Sequence, residues 1–416
     1  MESNRLQREL ERMRESDASD IIDLSDTNFH ANGIRYPNEL VERPVRDYFQ
    51  HRSYRPDPKG DAAARTAISG YYRERGVEIG VDQIFITAST SESYSLLFSS
   101  LAEAGDNVVL PAPTYPLFEY LAEFARLEAR YYRMEFDGWF KLDVEEIRRR
   151  IDVRTRFVVL ISPNNPTGRV ASNEEIAALL KLCERTGTAL ITDEVFSEFV
   201  YADGNEEPVC LPRPAAHRSG ATVFTLNGIS KMFASPDLKL AWIAATGDSL
   251  QLSRLLDRIE IANDTFLSCS SLSQSILPSF FEHGRDFGRT MVERLDDNRK
   301  LLLESLGASS EVSGSKRTGL PPRSSGRSPL SCSGGLRLVP PNGGIHCVIG
   351  IPRSSGMSWI DDEDFAVQLL RNKGIYLHPG YFYGLEEGEN EIYAVISFLK
   401  KRELLAEGLA RVVSFV

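Results

Sequence analysis

The sequence is short of cysteine, of basic charge and of long apolar runs. Its 416 residues contain five cysteines (Cys183, Cys210, Cys269, Cys332 and Cys347), and no two form a Cys-x-x-Cys pair. An odd, scattered set argues against a disulfide framework and fits a reducing compartment, so a cytoplasmic protein is expected. The six histidines show no His-Glu-x-x-His or other ligand spacing, and no metal site is expected. Acidic residues outnumber basic ones, 59 to 48, for a net charge of −11. That balance argues against a nucleic-acid partner, which needs a basic face. No apolar run approaches the ~18 residues of a membrane span, and the start, MESNRLQRELERMRESDASD, is too charged for a signal peptide.

What is present has the size of two domains. Arg5 to Glu15 reads as a charged helix, either an arm for a partner subunit or, more commonly, a solvated end. From about residue 54 onward, short β-rich runs (QIFIT, NVVLP, RFVVLIS, TALITDE, TVFTLNG) alternate with helical patterns such as NEEIAALLKLCERTG. Several of the runs are nearly continuous in apolar residues. This predicts an α/β fold with a mostly parallel sheet covered on both faces. After about Leu250 the pattern turns helical, and the end of the chain reads as a smaller α+β domain. The expected division is 1–53 (N-terminal arm and part of the small domain), 54–295 (large domain) and 296–416 (small domain). Within the last, the Ser/Gly/Pro/Arg-rich stretch GASSEVSGSKRTGLPPRSSGRSPLSCSGG lacks apolar periodicity, so 306–342 is expected to be a mobile insertion. No internal repeat is visible.

In an open α/β sheet, ligands bind outside the carboxyl ends of the strands, so the residues that follow each strand are the candidates. After QIFIT come Ser89, Thr90 and Ser91, opening a helix whose free N–H groups suit a phosphate; ordinary N-capping is the plainer reading. After NVVLP, the proline-bracketed Tyr115 could stack on a flat ligand or fill a core. PNNPTG follows RFVVLIS, and Asp193 ends TALITD, as a turn residue or as the partner of a protonated ring nitrogen. Finally SKMFASPDLKLAW places Lys231 at a strand-to-turn junction. A lone lysine is usually a solvated charge, but partial burial lowers its pKa and makes it a nucleophile.

In this order the parts are those of a pyridoxal phosphate site. With SPNNPTG, DEVF and SKMFASPDLKLAW at these separations, the chain resembles the fold-type I pyridoxal phosphate enzymes, specifically the class I/II aminotransferases related to aspartate aminotransferase. The resemblance runs from about Tyr54 to the C-terminus, interrupted by the Ser/Gly-rich stretch. It implies a seven-stranded-type, mostly parallel large-domain sheet and pyridoxal 5'-phosphate as cofactor. It also implies Lys231 as the Schiff-base lysine and general base, and Asp193 as partner of the pyridine nitrogen. Asn165 would then bond the ring's phenolic oxygen, and Tyr115 would stack on the ring. Ser89, Thr90, Ser91 and Ser230 would lie at the phosphate. Tyr54 matches the tyrosine that reaches the neighbouring subunit's phosphate, which implies a homodimer with a shared site.

The sequence also departs from the family. Lys239 stands where relatives commonly carry a phosphate-binding arginine, so it supplies charge without the bidentate fork. Phe196 replaces a tyrosine, and Gly228 stands where a serine often binds phosphate. YAVISF resembles a pattern whose arginine clamps the substrate α-carboxylate, but Val395 occupies that place. The carboxylate is therefore expected to meet Asn28, Arg35 or His378 instead. The expected function is amino transfer between an amino acid, or related amine, and a 2-oxo acid. A pyridoxal phosphate-dependent lyase and a non-catalytic regulatory protein are the alternatives; retention of Lys231 speaks against the latter.

Overall fold

The structure is a computed structural model. It describes residues 4–416 except 17–19, 53, 137–139, 203–210, 267–268, 307–329, 332–334, 354–358 and 389. Seven strands form the larger sheet, in the order Ile84–Thr87, Ala241–Thr246, Val223–Gly228, Ala189–Asp193, Thr155–Ile161, Asn107–Ala112 and Glu128–Arg133. All neighbours are parallel except Ala241–Thr246, which runs antiparallel to both of its neighbours. Alternation along the strands explains their continuous apolar runs. Val109, Val158, Leu160 and Leu190 meet Ile176, Leu179 and Cys183 of the helix Asn173–Thr186 on one face. Val108, Leu110, Phe157, Val159 and Ile191 meet Tyr94, Leu97 and Phe98 of the helix Thr90–Leu101 on the other. Both faces are dry, so both sets of positions must be apolar.

A five-stranded antiparallel sheet follows, in the order Leu330–Ser331, Arg337–Leu338, His346–Pro352, Glu391–Ser397 and His378–Pro379. Its Cys347, Ile349, Ile392, Ala394 and Ile396 form a core with Phe365 and Leu369, Leu405 and Leu409, and Leu295 and Leu302. The last two belong to the helix Arg285–Ser305, so the expected division at 295/296 falls inside a helix. On the opposite face, Val348, Tyr393 and Val395 pack toward the larger sheet.

The N-terminal helix Arg5–Glu15 packs on its own chain and is not a solvated end. Leu6 and Leu10 are buried, Arg5 Nη2 donates to Asp364 Oδ1 at 2.6 Å, and Arg371 Nη2 to Glu9 Oε2 at 2.6 Å. Two leucines among eleven residues are a narrow stripe, easily overlooked but enough for one contact line. Downstream, Ile22–Asp23 pairs in parallel with Ile375–Tyr376.

Residues 307–329 and 332–334 of the expected insertion lie outside the described residues. Its described ends are packed. Leu306 is buried, Leu330–Ser331 pairs with Arg337–Leu338, and Leu336 and Leu338 belong to the core. Asn342 N donates to Gly168 O at 3.1 Å, and Val170 N to Asn342 Oδ1 at 2.9 Å. The low-complexity composition hid the apolar alternation in GGLRLVPP, and 335–342 is part of the fold. Among the described residues, no helix is long and apolar enough to cross a membrane, and no cluster of three His, Cys, Asp or Glu could hold a metal ion.

Candidate active site

A cavity of about 380 Å³ opens at the carboxyl ends of the parallel strands, between the two sheets. It is lined by Ser89, Thr90, Ser91, Tyr115, Asn165, Asp193, Ser230, Lys231 and His378, nine of the residues expected from sequence. Each arrives there by the local geometry of a strand end. Ser89 caps the helix Thr90–Leu101, its Oγ accepting from Glu92 N at 3.1 Å, so the capping reading holds for that hydroxyl. The cap also turns the helix N-terminus, with Thr90 and Ser91, toward the cavity.

Asn164 and Asn165 divide the work of their loop. Asn164 Oδ1 accepts from Thr167 N and Oγ1 at 3.2 and 2.9 Å, and builds the turn. Asn165 lines the cavity, and its Oδ1 is buried without a partner among the described residues. The turn needs Gly168, at φ +67°, because a Cβ there would meet Pro341 Cβ at 2.4 Å and Gly343 O at 2.7 Å.

Asp193 is buried at the end of its strand. Tyr94 Oη donates to its Oδ2 and Val195 N to its Oδ1, both at 3.1 Å. Burial outweighs these bonds and pushes its carboxyl up to about 6. No cation pairs with it among the described residues. Its neighbour Glu194 differs, being held by the buried Arg213.

Lys231 sits on the four-residue helix Ile229–Met232, directly after the strand Val223–Gly228. Burial, and then the nearby charge of Lys239, push its ammonium below the ordinary lysine value. No carboxylate pairs with it among the described residues. Its Nζ lies 5.6 Å from the ring centroid of Phe29, which comes from the N-terminal segment.

Four expected site residues lie elsewhere. Lys239 is exposed, at φ +48°, and does not line the cavity; it reaches Lys231 only through its field. Tyr54 is 79% exposed and lines a second cavity of about 400 Å³ with Arg55, Asn263 and Cys269. Asn28 is exposed, and its Oδ1 is occupied in a turn by Ala31 N at 3.1 Å. Arg35 is exposed and outside the cavity. Val395 is buried in the small sheet, paired with Val348 and His378, and does not line the cavity either. Gly228 does line it. There is no room for a side chain, since a Cβ would meet Leu240 O at 2.9 Å.

Several lining residues escaped sequence reasoning. Tyr94 lies three positions after Ser91, on the same helix face, a spacing that could have found it. His346 opens an otherwise apolar strand, which was its only signal. Tyr383, Ser25 and Thr27 reach the cavity through long-range packing and carry no local signal.

The family profile "Aminotransferase class I and II" matches residues 20–392. Tyrosine aminotransferase from Dictyostelium discoideum is 23% identical over 390 residues, covering 92% of this chain and 85% of that protein. Glutamate-pyruvate aminotransferase AlaA of Escherichia coli (strain K12) is 27% identical over 249 residues, 59% of this chain and 60% of that protein. Among solved structures, alanine aminotransferase from Pyrococcus furiosus superposes with a TM-score of 0.82 at 20% identity, covering 99% of this chain and 96% of that one. The strand order, the lysine after the larger sheet's sixth strand in chain order and the profile match over nearly the whole length agree: the chain belongs to the class I and II aminotransferases, enzymes that transfer amino groups and, as a family, use pyridoxal 5'-phosphate.

Proposed function

We propose that the cavity holds pyridoxal 5'-phosphate and that the chain moves an amino group between an amino acid and a 2-oxo acid, with Lys231 as its covalent and proton-carrying residue. The observation that carries this reading is a buried charge without a counter-charge. A carboxylate placed like Asp193 costs several kcal/mol unless a cation meets it. A protonated pyridine nitrogen is such a cation. The rest of the donor set fits the same ligand. Asn165 has a buried amide oxygen without a partner among the described residues, able to accept from a phenolic hydroxyl. Thr90, Ser91 and Ser230 offer hydroxyls beside the positive end of a twelve-residue helix, suited to a phosphate. Lys239 adds charge at longer range, and the partly exposed Tyr115 offers a ring face.

Bound there, pyridoxal phosphate supplies a carbonyl that condenses with amines and a ring that withdraws electrons. The chain's own residues do the remainder. Lys231 Nζ gives up its proton more readily than an ordinary lysine, so it can act as nucleophile and, when displaced by the substrate's amine, can take the proton from the substrate's α-carbon. Asp193, once met by a cation, stays ionised and holds that charge in place. Phe118, Leu121 and Phe196 line the cavity and keep water from the reacting carbon. We read the chain as one half of a cytoplasmic homodimer. The exposed Tyr54, which does not line this cavity, supports a role at a second copy's site, and the free, buried Cys183 fits a reducing compartment.

The test is a half-reaction screen with tyrosine, alanine and glutamate, following the absorbance of the lysine-bound cofactor as it converts to the amine form. At least one donor should convert it. Lys231→Ala should lose both the lysine-dependent absorbance and turnover; a variant keeping a borohydride-reducible linkage at full level sinks the proposal.

A further inference from the structure

We propose that the carboxylate of the amino acid is received by the imidazoles of His346 and His378, and that it binds together with a proton taken from solvent. The inference rests on the functional reading above and names a part of that site the reading leaves open.

An amino-acid donor brings a carboxylate into the cavity, and a carboxylate removed from water needs a cation or several donors. The described lining contains one lysine, Lys231, and no arginine. Lys231 is committed to the reacting amine. The remaining groups able to become cationic are the two histidines.

Strand pairing puts them on one face of the small sheet. His346 lies opposite Ser397, Val348 opposite Val395, and His378 opposite Val395 on the other side. Directly paired residues share a face, as do alternate residues along a strand. His346 and His378 therefore lie on the same face of the small sheet, to either side of the strand that carries Val395. The valines are buried, and the imidazoles line the cavity. His378 Nδ1 is 3.0 Å from the Tyr383 hydroxyl, which orients the ring and leaves Nε2 for a ligand. The His346 imidazole makes no hydrogen bond among the described residues.

Both rings are harder to charge than an ordinary histidine before an anion arrives. Burial pushes His346 down to about 3, with Lys231 and His378 adding to the effect, and burial also pushes His378 down. Around His378 stand Tyr376, Phe382 and Tyr383, and Asp23 is the one acid favouring its charge. Phe196 faces His346 at 6.2 Å between rings. An incoming carboxylate supplies the missing negative charge, and a proton from water then resides on one imidazole. An arginine would bind at any pH, whereas this pair must first be charged. The sign follows. Binding raises the imidazole pKa, so affinity is high at low pH and falls as pH rises through the bound-state value.

Propionate is a suitable probe, since it carries a carboxylate and no amine to react. Calorimetric titration of the cofactor-loaded protein in two buffers of different ionisation enthalpy counts protons per propionate bound. Uptake of about one proton near neutral pH is expected, with affinity falling about fivefold or more from about pH 6 to about pH 8. His378→Gln and His346→Gln should each weaken binding by about tenfold, and His378→Gln should abolish the uptake. Flat affinity without uptake overturns the inference. So does uptake that survives both substitutions, because the proton then belongs to Lys231. The wild-type count needs no variant, so misfolding at the buried His346 leaves the inference testable. A wild-type protein without lysine-dependent cofactor absorbance fails the functional proposal itself; one with that absorbance but no proton uptake fails only this inference.

Discussion

At the scale of single residues, Asp193 and Lys231 are both charged groups held where charge is disfavoured, and that makes them responsive to what binds. For Asp193 the consequence can be measured without any substrate. Its folded-state pKa of about 6 lies above the ordinary 3.8, so its contribution to stability is fully present below about pH 4 and is lost as pH rises through about 6. Asn cannot ionise. The cofactor-free Asp193→Asn protein should therefore be more stable than the cofactor-free wild type at pH 8, by up to roughly 3 kcal/mol, with the advantage closing toward pH 4. Turnover should move the other way, falling by about a hundredfold or more, because nothing then stabilises a protonated ring nitrogen. Thermal melts at both pH values, beside rate measurements, check the pair. A variant no more stable than wild type at pH 8 means that Asp193 is already compensated. Lys231, Asp193, Asn165 and Tyr115 were legible in the sequence because each follows a strand whose end is marked by composition. His346 and Tyr94 were not, since their place depends on which strand and which helix turn lie across from them.

At the scale of elements, the close approach at Gly228 shows why a residue type can be fixed by packing alone. Its φ of −178° is open to any residue, so conformation is not the constraint. The obstacle is the start of the neighbouring antiparallel strand and the residue before it, since Ala241 Cβ and Leu240 O would lie 3.0 and 2.9 Å from a new Cβ. Gly228→Ala should cost about 1–3 kcal/mol, read as a lowered melting temperature, because backbone on both sides must shift. It should also reduce cofactor content, since the displaced strand end leads directly into Lys231. An unchanged melting temperature would show that the strand pair yields freely. The departure noted from sequence, a glycine in place of a serine, thus has a physical reason that one chain read alone could not supply. The large sheet itself was legible, because strands buried on both faces leave continuous apolar runs. The short strands Arg337–Leu338 and His378–Pro379 were not; two residues carry no period.

At the scale of the whole molecule, the stretch beginning at residue 307 divides two behaviours. The residues from Leu336 onward are bound into the core and, through Asn342, to the loop that carries Asn165. Residues 309–329 offer little apolar sequence for packing. Replacing 309–329 with a Gly-Ser linker of about eight residues should leave the melting temperature within about 2 °C and cofactor content unchanged. Carrying the deletion on through Asn342 should lose both. If the shorter deletion already abolishes cofactor binding, that segment contributes to the site and the compositional reading is wrong. The N-terminal segment was the least legible part at this scale, because Arg5 and Glu9 have partners more than 350 positions away and no local pattern announces them.

That segment carries a consequence in time. Ile22–Asp23 waits for Ile375–Tyr376, Leu24 O for Ser397 N, and Arg5 and Glu9 for a helix that begins at Asp362. On the ribosome, the first thirty residues therefore emerge long before anything they can hold. All strands of the large sheet lie before residue 247 and can condense first. Phe29, which stands over Lys231, arrives with the late segment. The site is thus covered only after the whole chain has been synthesised, and a nascent chain arrested after the large sheet would present Lys231 without that cover.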